Sequence, residues 1–131
     1  MNKKYLAKII AKDSQGLQLI SAYCADAKVK INKIKYLPKN KIFLLSLERF
    51  SKEAKKKDLK INSICRFEFV DSVKSKNINQ NINDLALKLI TIDLLKNKKS
   101  YEINLIFSNN RYITLSTEIV EAILEDQSQE T

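Results

Sequence analysis

Apolar and polar side chains alternate along most of this 131-residue chain with a period of two residues. That period places apolar side chains on one face of an extended strand, so it predicts β-strands. The alternation changes phase near Asn32 and again between Val70 and Val73, and each change predicts a β-bulge. Seven stretches are predicted as strands: Tyr5–Ala11, Val29–Tyr36, Ile42–Leu47, Leu59–Val73, Leu85–Leu95, Tyr101–Phe107 and Arg111–Ser116.

Turn-forming residues separate these stretches. Pro38 presets its φ angle and Asn40 tolerates the left-handed region, so a hairpin is expected there. Asn109 and Asn110 suit a primed two-residue turn between the last two predicted strands. The remaining connections are polar or charged: Ser51–Lys60, Lys76–Asn83 and Lys96–Lys99.

Two segments have the spacing of helices. Asp13 and Ser14 are good N-caps, and Leu17, Ile20, Cys24 and Ala27 follow at helical spacing, which predicts a helix over residues 14–26. A second helix is predicted at the C-terminal end, with Thr117 as its cap and one apolar stripe. The stripe consists of Ile119, Val120, Ile123 and Leu124.

These elements predict an α+β fold of about seven mostly antiparallel strands. The strands would form a bent sheet or partly open barrel, with one helix after strand 1 and a C-terminal capping helix, as in a pleckstrin-homology-like domain. The length is that of a single domain spanning residues 1–131. Its ordered core is expected over about residues 4–126, with a frayed tail at 127–131.

The residue inventory argues against an enzyme. The chain has no His and one Gly, so it lacks the commonest general base, the commonest metal ligand and the material for a phosphate-binding glycine loop. Asp71 and Asp93 interrupt apolar strands, but they suit turns, bulges or the surface better than catalysis. We therefore expect no catalytic, cofactor-binding or metal-binding residues; carboxylate or Lys chemistry is the least favoured interpretation.

The chain is expected to be cytoplasmic. Lysines near the N-terminus interrupt any signal-peptide core, and the longest charge-free segment, Ser14–Ala25, is too short to cross a bilayer. Cys24 and Cys65 lie in apolar stretches and resemble small buried hydrophobes, which suits a reducing compartment.

The formal net charge is +9 and is unevenly distributed: residues 1–99 carry 23 basic and 9 acidic side chains, whereas residues 100–131 carry one basic and six acidic. The predicted strand face with Lys28, Lys30, Lys33 and Lys35 is a candidate contact for a partner or an anion. A lysine row also suits an exposed sheet edge, where it discourages strand pairing between molecules. A/T-rich coding, which favours Lys, could equally account for it.

Arginine occurs only at Arg49, Arg66 and Arg111, against 21 lysines. In so Lys-biased a chain, Arg suggests positions that need a planar, bidentate donor. Each is a candidate contact to a partner or an anion. A structural pair is the favoured alternative, and for Arg66 the natural partner is Glu68 on the same strand face.

Four segments together resemble an uncharacterised bacterial family, mainly alphaproteobacterial, of short stand-alone proteins known only as a domain of unknown function. The segments are Leu6–Asp13 with Leu17 and Ile20–Ala27, Tyr36–Phe50, Arg66–Ile78, and Ile113–Asp126. The resemblance implies a cytoplasmic protein of unknown role and carries no catalytic residues.

The leading hypothesis is a non-enzymatic protein-binding or scaffold domain that uses a sheet edge or the basic strand face. Head-to-tail self-association into a homo-oligomer is a second form of it, motivated by the uneven charge. The alternative is a binder of nucleic acid or anionic lipid through the Lys-rich face.

Overall fold

The computed structural model describes residues 6–50, 60–82 and 84–127. The predictions for Tyr5, for residues 51–59 of the charged connection, for Asn83 and for residues 128–131 of the tail lie outside the described residues. One helix and ten strands are present in the described part: β1 (Lys8–Ala11), α1 (Ser14–Cys24), β2 (Lys28–Lys30), β3 (Ile34–Leu37), β4 (Ile42–Phe50), β5 (Lys60–Phe67), β6 (Val70–Lys76), β7 (Ala86–Lys96), β8 (Tyr101–Phe107), β9 (Arg111–Thr117) and β10 (Ala122–Asp126).

The strands form one antiparallel sheet in the order β1-β10-β5-β4-β2-β7-β8-β9-β6, with β3 also paired to β4. Only Glu68 and Phe69 separate β5 from β6, although these strands occupy the third and last positions of that order. In a flat sheet they would lie roughly 29 Å apart, since neighbouring strands are about 4.8 Å apart. A two-residue link spans at most about 11 Å. The sheet therefore curls back on itself.

The predicted α+β class with seven strands and a C-terminal helix is wrong, and with it the pleckstrin-homology-like arrangement. The chain from Ala122 to Asp126 is a strand, paired with β1 on one side and β5 on the other. The apolar stripe was misleading because Ala122, Leu124 and Asp126 also alternate with period two and face the interior. Thr117 caps nothing: its hydroxyl is buried without a hydrogen-bond partner in the described part of the chain.

The inner face of the sheet and α1 form the core. On β4 the alternation is regular, so that Phe43, Leu45, Leu47 and Arg49 point inward. Leu17, Ile20 and Cys24 of α1 are buried against this face. The helix also covers part of the edge of β7, where the Ser21 hydroxyl accepts the Ile92 N–H at 2.9 Å. The short helix thus covers the edge of β7 beyond Lys88, which is paired with the first residue of β2.

The turns follow their sequence signals only in part. Asn109 and Asn110 have φ angles of 64° and 57°, as a primed turn requires. Phe107 is opposite Arg111, however, so the loop between β8 and β9 has three residues rather than the predicted two. At the predicted hairpin between β3 and β4, however, it is Lys41 rather than Asn40 that adopts positive φ, at 55°. The phase change near Asn32 is a 3-10 turn over Ile31–Lys33 and not a simple bulge. The phase change predicted between Val70 and Val73 coincides with an irregularity in the sheet, where the pairing of β6 with β9 shifts register between Val70 and Ser72. The predicted long strand is also interrupted before that point, at Phe69, which has a φ angle of 59° and lies between β5 and β6.

The predicted first helix is present, and Asp13 caps it by accepting the Gly16 N–H at 2.8 Å. Gly16 lies against the end of β1. A Cβ atom there would be 2.7 Å from the Ala11 Cα and 2.8 Å from its Cβ. Because the nearest atom belongs to the backbone, the overlap cannot be relieved by turning a side chain.

We expect Gly16→Ala to lower the free energy of unfolding. Alanine gains about 1 kcal/mol of helix propensity over glycine, but overlap in a packed region costs about 1–3 kcal/mol. Urea unfolding followed by circular dichroism measures the difference. Gln18→Ala, at an exposed position of the same helix, is the control and should leave stability unchanged or slightly raised. A Gly16→Ala protein more stable than wild type would contradict the close approach of α1 to β1.

Candidate functional site

A basic groove lies on the outer face of the sheet, where β2 and the 3-10 turn run beside β4 and β5. Its volume is about 410 Å³. Lysines form one wall, and small polar and aliphatic residues of β4 and β5 form the rest. The lining residues are Lys28, Lys30, Lys33, Ser46, Leu47, Glu48, Asn62, Ser63, Ile64 and Gln127.

The geometry of β2 explains why its lysines share this groove. Val29 points into the core, so Lys28 and Lys30 on either side of it point outward. Lys33 follows in the 3-10 turn and is exposed. None of the three forms an ion pair within the described part of the chain. Glu48 also lines the groove, but its carboxylate lies 3.8 Å from the Lys60 Nζ. The groove therefore carries an excess of positive charge.

A buried ion pair lies on the opposite, inner side of β4 and β5. Arg49 Nε donates to Asp126 Oδ1 at 2.9 Å, and Nη2 donates to Oδ2 at 2.5 Å. Both side chains are fully buried. The Ser63 hydroxyl donates to Asp126 Oδ1 at 2.6 Å. We call Arg49, Ser63 and Asp126 the ion-pair cluster.

The ion-pair cluster joins segments that are distant in the sequence. The Ala7 N–H donates to Asp126 Oδ2 at 2.7 Å, and the Asp126 N–H donates back to the Ala7 carbonyl at 2.9 Å. The Arg49 guanidinium carbon lies 5.2 Å from the centre of the Tyr23 ring. Arg49 of β4 thus contacts α1 through Tyr23 and β10 through Asp126, and Asp126 in turn binds the segment that leads into β1.

Burial alone would raise the pKa of Asp126, since it disfavours a charged carboxylate. Hydrogen bonds from Arg49, Ser63 and the Ala7 amide outweigh that effect and hold the pKa of Asp126 below its usual value. Asp126 is therefore an ionised, internally satisfied carboxylate, and its role is structural.

The ion-pair cluster and the basic groove share part of their framework. Ser63 belongs to the cluster and also lines the groove. Gln127 directly follows Asp126, lines the groove and donates its N–H to the Asn62 carbonyl at 2.8 Å. The cluster thus fixes the backbone that forms one wall of the groove.

The other predicted site residues lie elsewhere. Lys35 is exposed on the outer face of β3, opposite Leu44, and does not line the groove. Arg66 is also on the outer face, and its Nε donates to Glu68 Oε2 at 2.6 Å, the local pair expected for it. Arg111 begins β9 opposite Phe107, at the β8–β9 hairpin. The three arginines therefore do not converge on one pocket.

The remaining candidates for chemistry are dispersed. Asp71 forms a surface ion pair with Lys41 at 2.9 Å, and Asp93 is exposed on β7. Cys24 and Cys65 are both buried, and burial, together with the nearby Cys24, raises the pKa of Cys65 well above its usual value. Over the described ranges no group of three or more metal-ligating residues comes together, and no helix there is long and apolar enough to span a membrane.

Sequence reasoning selects Arg49 but misses Asp126 and Ser63. A helical interpretation puts Asp126 at the end of a helix, where a carboxylate is normally solvated. The available signal is the period-two row of Ala122, Leu124 and Asp126, which puts the acid on an apolar strand face. An acid in that position needs a buried cation. Arg49 supplies it from the inward face of β4, two residues beyond Leu47, which lies in the same cross-strand row as Asp126.

Fold and site together define a mostly antiparallel β protein with one short helix, a buried ion pair and a basic outer groove. The family model described as protein of unknown function (DUF2948) matches residues 7–131, so the chain belongs to that family. The predicted resemblance to a family of unknown function is thereby confirmed. No curated protein and no solved structure matches the chain. Its function must therefore be argued from its own geometry.

We expect Arg49→Lys to lower the free energy of unfolding by about 1–3 kcal/mol, because an ammonium lacks the planar pair of donors that bonds both oxygens of the buried carboxylate. Chemical denaturation measures the loss. Arg66→Lys is the matched control: its ion pair is half exposed, so its loss should stay within about 0.5 kcal/mol. Equal effects of the two substitutions would argue against a special role for Arg49.

The lowered pKa of Asp126 also predicts a pH dependence. Its stabilising contribution is fully present above the unfolded pKa of about 3.9 and is lost as the pH falls through the lower folded value. Compared with Asp126→Asn, the wild type should be markedly more stable at neutral pH, and the difference should shrink below about pH 4. Urea midpoints across this range test it. A difference that stays constant into strong acid would contradict ionisation of Asp126 in the folded protein.

Proposed function

We propose that this chain is a non-enzymatic protein-binding domain whose basic groove receives an acidic segment of a partner protein. The observation that carries the proposal is the set of three outward lysines in one groove without ion-pair partners among the described residues. Clustered like charges repel one another, and an acidic ligand relieves that repulsion. The groove is also concave, which suits a segment of chain.

The composition of the groove favours protein over nucleic acid. Its described lining contains no aromatic side chain on which a base could stack, and no Arg to grip a phosphate in a bidentate manner. Ser46 and Asn62 supply neutral hydrogen-bonding groups of the kind found in peptide sites.

The buried carboxylate of Asp126 is fully engaged in internal hydrogen bonds, which supports a binding role over catalysis. The ionised Asp126 directs both carboxylate oxygens to internal donors and keeps none for a substrate. The chain offers no His to act as a base. The exposed lysines of the groove are suited to attracting a charged partner.

The test uses a fluorescein-labelled peptide of alternating Glu and Ser, with binding followed by fluorescence anisotropy at low ionic strength. Lys28→Glu/Lys30→Glu should weaken binding about tenfold or more, because two attractions become repulsions. Lys74→Glu/Lys76→Glu is the matched control, since it reverses two exposed lysines with the same spacing on β6. It should change affinity much less.

Equal weakening by both double variants would show that only net charge matters, and would contradict a specific groove. Absence of peptide binding to the wild type would also overturn the proposal. A single-stranded oligonucleotide of equal charge that bound more tightly, with the same dependence on Lys28 and Lys30, would support the polyanion alternative instead.

A further inference from the structure

The outer face of the sheet carries aliphatic side chains where an antiparallel sheet open to solvent is normally polar. Leu37 of β3 is directly opposite Ile42 of β4, and Ile10 of β1 is directly opposite Ile123 of β10. Ile10 is 55% exposed and Leu37 is 40% exposed, and the aliphatic residues between them on this face are partly buried. We call this set the outer patch; its members are Ile10, Leu37, Ile42, Leu44, Ile64 and Ile123.

Strand pairing makes the outer patch continuous. Arg66 of β5 lies between Leu44 of β4 and Ile123 of β10. Ile123 is in turn opposite Ile10, so one row of paired residues crosses from β4 to β1. Ile64 lies two residues from Arg66 on the same face of β5, about 7 Å away. Aliphatic residues thus spread over five adjacent strands. Contiguous exposed apolar patches on soluble proteins mark interaction sites.

The outer patch adjoins the basic groove. Ile64 belongs to both, and it is paired with Ser46, which also lines the groove. A ligand that fills the groove is therefore in contact with the edge of the patch. Charge and apolar area are separate but adjacent, and a single ligand can use both.

Acidic groups within this face favour a protein over a lipid surface. Glu68 is paired with Arg66, and Glu125 is opposite Lys8 in the row that contains Ile64. An anionic bilayer would be repelled by these carboxylates. A protein segment can match charges of both signs.

We propose that the outer patch and the basic groove form one docking surface, which takes a partner segment with an apolar stretch adjoining an acidic stretch. The inference rests on the proposed function and specifies the chemistry of the partner. Acidic residues of the segment occupy the groove beside Lys28, Lys30 and Lys33. Its apolar residues cover Ile64, Leu44 and Ile123 and extend towards Ile10.

Three labelled peptides test this surface by fluorescence anisotropy: one of Glu and Ser, one of Leu and Ser, and a chimera with a Glu-rich half joined to a Leu-rich half. The chimera should bind at least about tenfold more tightly than either simple peptide, since burying even one aliphatic side chain is worth that much. Ile10→Ser should reduce the advantage of the chimera. Ile90→Ser, at a 43% exposed position of β7 outside the patch, should not.

The outcomes separate this inference from the function on which it rests. If the Glu and Ser peptide binds and the chimera binds no more tightly, the groove remains a binding site and the outer patch is excluded. If no peptide binds, both proposals fail. Vesicles of an anionic phospholipid form a further arm: tight vesicle binding that Ile10→Ser abolishes, without a gain for the chimera, would assign the surface to a membrane and overturn the inference.

Discussion

The buried ion pair between Arg49 and Asp126 is the constraint on which the arrangement of this sheet depends. Two opposite charges are held away from water, and such a pair is tolerable only if every polar group in it is satisfied. Here the carboxylate receives Arg49, Ser63 and the Ala7 amide. The cluster thereby connects β10 to the segment before β1, so both ends of the described chain are fixed to the central strands β4 and β5.

That constraint acts on both faces of the sheet. Residues alternate across a strand, so the inward Arg49 has the outward Glu48 and Phe50 as neighbours. Asn62, Ser63 and Gln127 form part of the groove wall. Ser63 also donates to Asp126, and Gln127, which directly follows Asp126, donates its N–H to the Asn62 carbonyl. The binding surface that we propose is consequently built on a rigid inner framework, although its lysines are exposed to solvent. A binding site that is already ordered before the ligand arrives loses less conformational entropy on binding.

Local patterns predicted local structure well. The period-two runs located most strands, Asp13 indicated the start of α1, and Asn109 and Asn110 adopt the expected positive φ angles. The sequence failed at Ala122–Asp126, where a helical and a strand periodicity overlap and only pairing with β1 and β5 decides between them. The rarity of Arg drew attention to Arg49, but its partner is 77 residues away, and no local pattern encodes such a distance. The groove was equally hidden, because it depends on which strands lie beside β2.

Amide hydrogen exchange of Asp126→Asn against wild type tests most directly whether the ion pair holds the two terminal strands in place. The largest fall in protection should occur in Lys8–Ala11 and Ala122–Asp126, with a further fall at Asn62–Ile64, because local opening follows the loss of local contacts. The hairpin of β8 and β9 should lose less. A fall of equal size in all strands, or no fall in β1 and β10, would contradict the central role assigned to the pair.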